Sequence, residues 1–175
     1  MRRVSAVCFA LLLFAATSSA LSAQQSIYML ADTIRGDQPA PHDREFKLNS
    51  FSSGAEKIVT IGSATTGTGK TMFPPVQVTM NFSPVSSPSF YRNLTAGTKL
   101  ASVEIRFYNS ARMYYKTVFE NVYLTKVGTA GSDQASQEID FVYSRVKWFA
   151  PTDVAGLTGP VLAGCWDLTA NAPRC

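Results

Sequence analysis

The sequence predicts a mainly β protein carrying one short helix, and three observations predict it. Val76-Gln-Val-Thr-Met-Asn-Phe82 alternates without error, with Val76, Val78, Met80 and Phe82 on one side and Gln77, Thr79 and Asn81 on the other. A period of two marks a strand with one face in a core and one in water. Further strand-forming runs recur between turn signals rich in Gly, Pro and Ser, which is the pattern of a sandwich or a barrel. A single helical signature interrupts them at 87–97. Ser87 suits its cap, Pro88 its first position, Phe90, Tyr91 and Leu94 share a face, and Gly97 can close it in a left-handed conformation. A barrel would remove the exposed edges that a strand-rich chain must otherwise protect.

The elements follow in order. Ser26 to Ile34 reads as a strand ending in the turn-prone Arg35-Gly-Asp37, and Gln38-Pro-Ala-Pro-His-Asp43 reads as a loop because its prolines cannot serve a sheet interior. Glu45 to Phe51 and Glu56 to Ile61 are strands, and Gly62 to Thr71 is a Gly/Thr/Ser loop. After the helix, strands resume at Ser102 to Tyr108. Met113 to Phe119 and Asn121 to Val127 form a nearly continuous pair, with a phase change at Phe119-Glu-Asn121 that predicts a bulge or bend. Gly128 to Ser136 is a hairpin loop. Gln137 to Phe149 reads as one long strand, apolar on both faces and therefore covered on both. Pro151 ends it, and the tail from Gly156 onward has no clear period.

The amino end bears on the compartment. Basic Met1-Arg-Arg3, the uncharged apolar run Val4 to Ala16, and small residues up to Ala23 predict a cleaved export signal over 1–23. Cys8 lies inside that apolar run, too early for lipid attachment. The intact chain has 16 basic and 12 acidic residues; loss of Arg2 and Arg3 leaves 14 against 12, with no basic cluster of the kind nucleic acid requires. A single domain is predicted over 24–151, followed by a tail over 152–175. In an oxidising compartment the even pair Cys165 and Cys175 is expected to close that tail as one disulfide.

Chemical motifs are sparse. Ala64-Thr-Thr-Gly-Thr-Gly-Lys-Thr71 matches a loose phosphate-loop pattern, yet a phosphate loop runs into a helix, and here Pro74 and Pro75 lead into a strand. An inter-strand loop is the expectation. His42 is the only histidine, which excludes a site of several imidazoles, and its proline-flanked loop predicts a surface position. Asp32, Asp37 and Asp43 have no spacing that would make them a cation or acid/base site. The run Arg112-Met-Tyr-Tyr-Lys116 fits a barrel wall or a subunit interface better than a sugar platform. Asn93-Leu-Thr95 matches a glycosylation sequon but falls within the predicted helix. No catalytic, metal-binding or cofactor-binding residue is assigned.

The order of these elements resembles the Hcp family, the haemolysin-coregulated protein that forms the inner tube of the type VI secretion machine. The stretches that carry the resemblance are Ile27 to Asp37, Gly69-Lys70 leading to Val76-Gln-Val-Thr-Met80, Ser87-Pro88 opening the helix, and Gly97-Thr-Lys-Leu100 after it. Phe119 to Val127 and Glu138 to Tyr143 complete it. The resemblance implies a small, closed or nearly closed antiparallel β-barrel with one side helix. It also implies homohexameric rings that stack, effector or secretion-apparatus proteins as partners, and no chemistry of its own. Tube proteins of that machine need no cleavable signal, whereas this chain carries one, together with the cysteine-containing tail. The expectation is therefore an exported, periplasmic or secreted, structural form. An exported monomeric barrel that binds a protein or cell-wall ligand is the alternative, and an enzyme the third.

Overall fold

The computed structural model describes residues 25–61, 66–110, 112–131, 134–151 and 160–174. The expected export signal over 1–23 lies outside them. Ten strands and one helix are described: β1 (Gln25–Ala31), β2 (Phe46–Ser52), β3 (Glu56–Ile61), β4 (Thr66–Met72), β5 (Val76–Asn81), α1 (Ser87–Ala96), β6 (Leu100–Asn109), β7 (Arg112–Ala130), β8 (Ser136–Val142), β9 (Arg145–Ala150) and β10 (Val161–Asp167).

Six of these strands close on themselves. The antiparallel order β7-β6-β1-β2-β5-β8 returns to β7, because β8 pairs with the carboxyl half of the strand whose amino half pairs with β6. Closure depends on a bend in β7 at Asn121, whose φ is 53°. Asn tolerates that left-handed conformation better than other residues with a side chain, and its Nδ2 donates to Ser144 Oγ at 2.8 Å. The phase change read at 119–121 is this bend.

Alternation then decides what fills the barrel. Val76, Val78 and Met80 of β5 face Ile139 and Phe141 of β8, with Val76 opposite Phe141 and Val78 opposite Ile139. Met29, Phe46, Ile105 and Phe119 join them, each 2 % exposed or less. The interior is thus occupied by the chain's own side chains. Phe90 of α1, 1 % exposed and 5.2 Å from the Phe46 ring, seals the helix onto this core. Burying such a ring stabilises by about 2–3 kcal/mol.

The helix begins and ends close to expectation, with one difference. Ser86, not Ser87, occupies the cap position, and its backbone is already helical, so its side chain makes no cap hydrogen bond. Ser86 Oγ instead donates to the Arg35 carbonyl at 2.8 Å, tying the helix to the β1–β2 connection. Ser87 Oγ accepts from Nε2 of the fully buried Gln137 at 2.9 Å. Only Phe90 of the expected apolar trio is buried. Tyr91 is exposed, and its hydroxyl lies 3.1 Å from Thr129 Oγ1. Gly97 closes the helix at φ 60° as expected.

Three sequence expectations are corrected. The expected loop over 62–71 contains strand β4, which pairs with β3 in a separate two-stranded sheet. Its β-branched threonines favour extended backbone. The expected long strand 137–149 is two strands, β8 and β9, broken at Tyr143 and Ser144. β9 continues along the same edge of β7 as β8 and in the same direction, but its other neighbour is β10 in place of β5, so different elements cover the two ends of that stretch. The tail without a clear period forms β10, which adds to β9. Arg145 of β9 binds both Glu120 of β7 at 3.2 Å and Asp167 of β10 at 3.1 Å, fastening this extension.

Asn121→Val is expected to destabilise the protein by about 2–3 kcal/mol, from left-handed strain on a β-branched residue plus one lost hydrogen bond. Asn121→Gly should recover most of that. The urea midpoint of the two variants checks it; equal midpoints would show that the bend does not depend on Asn121.

Candidate functional site

Ionisable side chains gather on the barrel wall where the β1–β2 connection crosses β1 and β6. Glu45, at the foot of β2, is 4 % exposed. Its Oε1 accepts from Arg106 of β6 at 2.6 Å, and its Oε2 meets Nδ1 of His42. Arg106 also binds Glu104 at 2.6 Å, and Lys116 of β7 approaches Glu104 at 3.6 Å while lying 4.7 Å over the Phe149 ring. His42 stacks on Tyr28 of β1, with centroids 4.0 Å apart, and meets Tyr108 of β6 edge-on at 4.8 Å. Partial burial pulls the Arg106 guanidinium down, but its hydrogen bonds and attraction to Glu104 and Glu45 outweigh this and leave it above its ordinary value.

Chemically this cluster is a lock. Its acids are matched by Arg106, Lys116 and His42. Gly36 sits where it does because a Cβ there would lie 2.0 Å from the Glu45 carbonyl oxygen, so the connection is pressed directly against the strand it precedes. His42, expected at the surface, is only 17 % exposed in its side chain. Proline-rich surroundings signalled a loop correctly, but gave no sign that the ring would stack on Tyr28 and meet Tyr108 edge-on.

The other sequence candidates are scattered. Asp32, Asp37 and Asp43 are exposed and are not brought together: Asp43 pairs with Arg35 at 3.7 Å and Asp37 accepts from Gln38 at 3.1 Å. Among the described residues no group of three His, Cys, Asp or Glu side chains is placed to hold a metal. Gly69, Lys70 and Thr71 lie within β4 and no helix follows them, so the phosphate-loop geometry is not formed. Tyr114 and Tyr115 pack beside Phe107, at 6.4 and 5.2 Å, as barrel wall. Asn93 Nδ2 donates to the Ser89 carbonyl at 2.8 Å inside α1. Cys165 is buried on β10; Cys175 lies outside the described residues. No described helix is long and apolar enough to cross a membrane.

Sequence reasoning missed two surfaces. One is the β3–β4 hairpin, an arm outside the barrel sheet that exposes Ile58, Val59 and Met72 at 68, 49 and 50 %. The sequence marked β3, as the strand expected over 56–61, but the Gly/Thr-rich stretch that forms β4 gave too weak a period to reveal its partner. The other lies at the arm's root, where Tyr143 is 8 % exposed and burial pushes its hydroxyl up to about 12.

This architecture defines a class first: a small closed antiparallel barrel, filled by its own side chains, with one side helix and an unpaired arm. Within that class the chain belongs to the family described as type VI secretion system effector, Hcp, whose model matches residues 28–149. The fold is similar to a solved type six secretion system protein at 24 % identity and a TM-score of 0.75, over 86 % of this chain and 100 % of that one. It is similar to Hcp1 from Salmonella typhimurium at 16 % identity and a TM-score of 0.70, over 86 % and 99 %. The secreted protein Hcp3 from Pseudomonas aeruginosa gives 20 % and 0.61, over 82 % and 98 %. A search of curated proteins returns no match.

Two outcomes follow. Glu45→Ala should cost about 2–3 kcal/mol in chemical unfolding, less than for a wholly buried pair because Arg106 keeps Glu104. Glu45→Gln, which retains hydrogen-bonding atoms, should cost less. For Tyr143 the native hydroxyl holds its proton to higher pH than the unfolded one. Stability from this group is therefore full below about pH 10 and falls as pH rises from 10 towards 12. Ultraviolet titration of the folded protein should show one tyrosine ionising last, and Tyr143→Phe should remove that late step.

Proposed function

We propose that this chain is a non-enzymatic structural protein of the Hcp type, exported through its amino-terminal leader, that self-associates into hexameric rings. The observation that carries the reading is the arm. An isolated two-stranded hairpin is marginal in water, and Ile58 and Val59, adjacent on β3, expose apolar surface on both of its faces. A second copy of the chain that covers the arm satisfies both conditions. The side-chain-filled barrel interior also supports a structural role, since it leaves no lumen for a ligand. Family membership supplies the ring, as the form that the resemblance implies.

The exported form rests on the leader over 1–23 and on the cysteine pair. Cys165 to Cys175 is proposed as a bridge that ties the tail back to β10, contributing about 2–3 kcal/mol at most for so short a loop. Mass spectrometry of the exported protein with and without reductant checks this pairing and the cleavage after Ala23. Two alkylatable thiols without reductant would exclude the bridge.

Light scattering on the mature, oxidised protein tests assembly. A hexamer mass is expected, and a monomer that persists on concentration would defeat the ring. The double variant Ile58→Asp with Val59→Asp should abolish the hexamer while moving the unfolding free energy by no more than about 0.5 kcal/mol, as exposed substitutions do. An intact hexamer in that variant would place the contact elsewhere than the arm.

A further inference from the structure

The arm joins the barrel through two short segments, residues 53–55 before β3 and Phe73 after β4. Between them and the sheet lies a cavity of about 180 Å³. Phe119 and Val146, each 1 % exposed, are buried in its floor, and Tyr143, Trp148 and Phe73 complete its walls. No charged side chain lines it. Arg145 and Lys147, the neighbours of Val146 on β9, are engaged by Glu120 instead.

The aromatic frame is braced from within. Tyr143 lies 4.7 Å from the Phe119 ring, and Phe73 meets Tyr143 and Trp166 with centroids 6.3 Å away in each case. The hydrogen bonding is incomplete. The Tyr143 hydroxyl makes no hydrogen bond to any described residue. Trp166, paired with Val146 and so on the same sheet face, has its Nε1 buried without a partner among the described residues. The Tyr143 oxygen stays accessible to solvent, so an acceptor on another molecule can reach it.

We infer that this cavity is a binding site for a neutral small molecule built on one aromatic ring that carries an oxygen acceptor. Volume sets the size, since an apolar cavity of about 150 Å³ accommodates benzene. Phe73, Phe119 and Trp148 offer ring faces and edges for stacked or edge-to-face contact. Tyr143 supplies the donor, and because burial holds its hydroxyl protonated to about pH 12 it remains a donor throughout the neutral range. The absence of a lining carboxylate disfavours a cation, despite the aromatic walls. Entry is between 53–55 and Phe73, the mouth formed by exposed small residues.

The test uses the mature, oxidised protein with benzyl alcohol, toluene and tetramethylammonium as probes, read by indole N–H resonances and tryptophan fluorescence. These signals arise at Trp148 and Trp166 and do not depend on ring assembly, so this inference can fail while the structural role stands. Benzyl alcohol should bind saturably with a Kd on the order of 1 mM, as suits so few heavy atoms. Tyr143→Phe should weaken benzyl alcohol by about 3–10-fold, the loss of one hydrogen bond, and leave toluene unchanged. Ala55→Trp, at the exposed mouth, should block both without altering the unfolding midpoint. Shifts that stay linear for every probe would overturn the inference. So would tighter binding of tetramethylammonium than of benzyl alcohol, or a Tyr143→Phe protein that binds benzyl alcohol undiminished.

Discussion

Everything in this molecule depends on one strand serving two sheets. β7 pairs with β6 and β9 through its amino half and with β8 through its carboxyl half, and Asn121 is where it turns from one to the other. Without that turn the sheet would stay open, leaving β8 and the far half of β7 as unpaired edges. The same turn separates β8 from β9. Beyond it β8 and β9 run in the same direction along the same edge of β7, and at Tyr143 and Ser144 the chain exchanges β5 for β10 as its other neighbour. Ser144 answers Asn121 in this geometry: its backbone N–H donates to the Glu120 carbonyl, and its hydroxyl accepts from the Asn121 side chain. A left-handed residue at a bend is tolerable only where its surroundings determine it, and here both strands that leave the bend do so.

How much of this was legible in the sequence follows from where the signal is local. The alternation of Val76 to Phe82, the helix closed at Gly97 and the phase change at 119–121 are written in residues close together in the chain, and the structure repeats them with small shifts at their ends. The break at Tyr143-Ser144 was not legible. It contains no Gly or Pro, and what forces it is barrel closure, a contact between distant strands. β4 was hidden for the opposite reason. Five of its seven residues are Thr or Gly, so hydrophobic period, the main signal for a strand, is weak where the strand is real. β10 is short and carries Gly164 in its middle, which blurs alternation in the same way.

The charged cluster shows a comparable limit. His42, Glu45 and Arg106 are ordinary loop and strand residues in sequence, with no spacing that announces a site. Only the packing of the β1–β2 connection onto β1 and β6 brings them together, beside Tyr28 and Tyr108. Removing Glu45 from water is costly, and the pairing with Arg106 repays this because Glu104 and Lys116 extend the network to the wall's outer surface, where solvent still reaches. The gain is positional. The connection that accepts the Ser86 hydroxyl at Arg35 also fixes the helix, so the lock at Glu45 and the start of α1 belong to one mechanical unit.

Placement of the arm completes the reasoning from fold to role. Six strands closed around Phe119, Phe141, Ile139 and Met80 retain a core whether or not the hairpin is covered, because none of the described core residues belongs to β3 or β4. A chain arranged this way can keep a stable folded barrel and still present Ile58, Val59 and Met72 to another surface. Stability and the proposed association are therefore separable, which is what a subunit needs if it folds alone before joining a larger assembly. The joint between them is the aromatic pocket under residues 53–55 and Phe73. Through Phe73 the arm rests on Tyr143 and Trp166, side chains from the turn after β8 and from β10, so the orientation of the arm is set by the same extension that Arg145 fastens to the barrel. A change at this joint would thus alter how the arm is presented without disturbing the core.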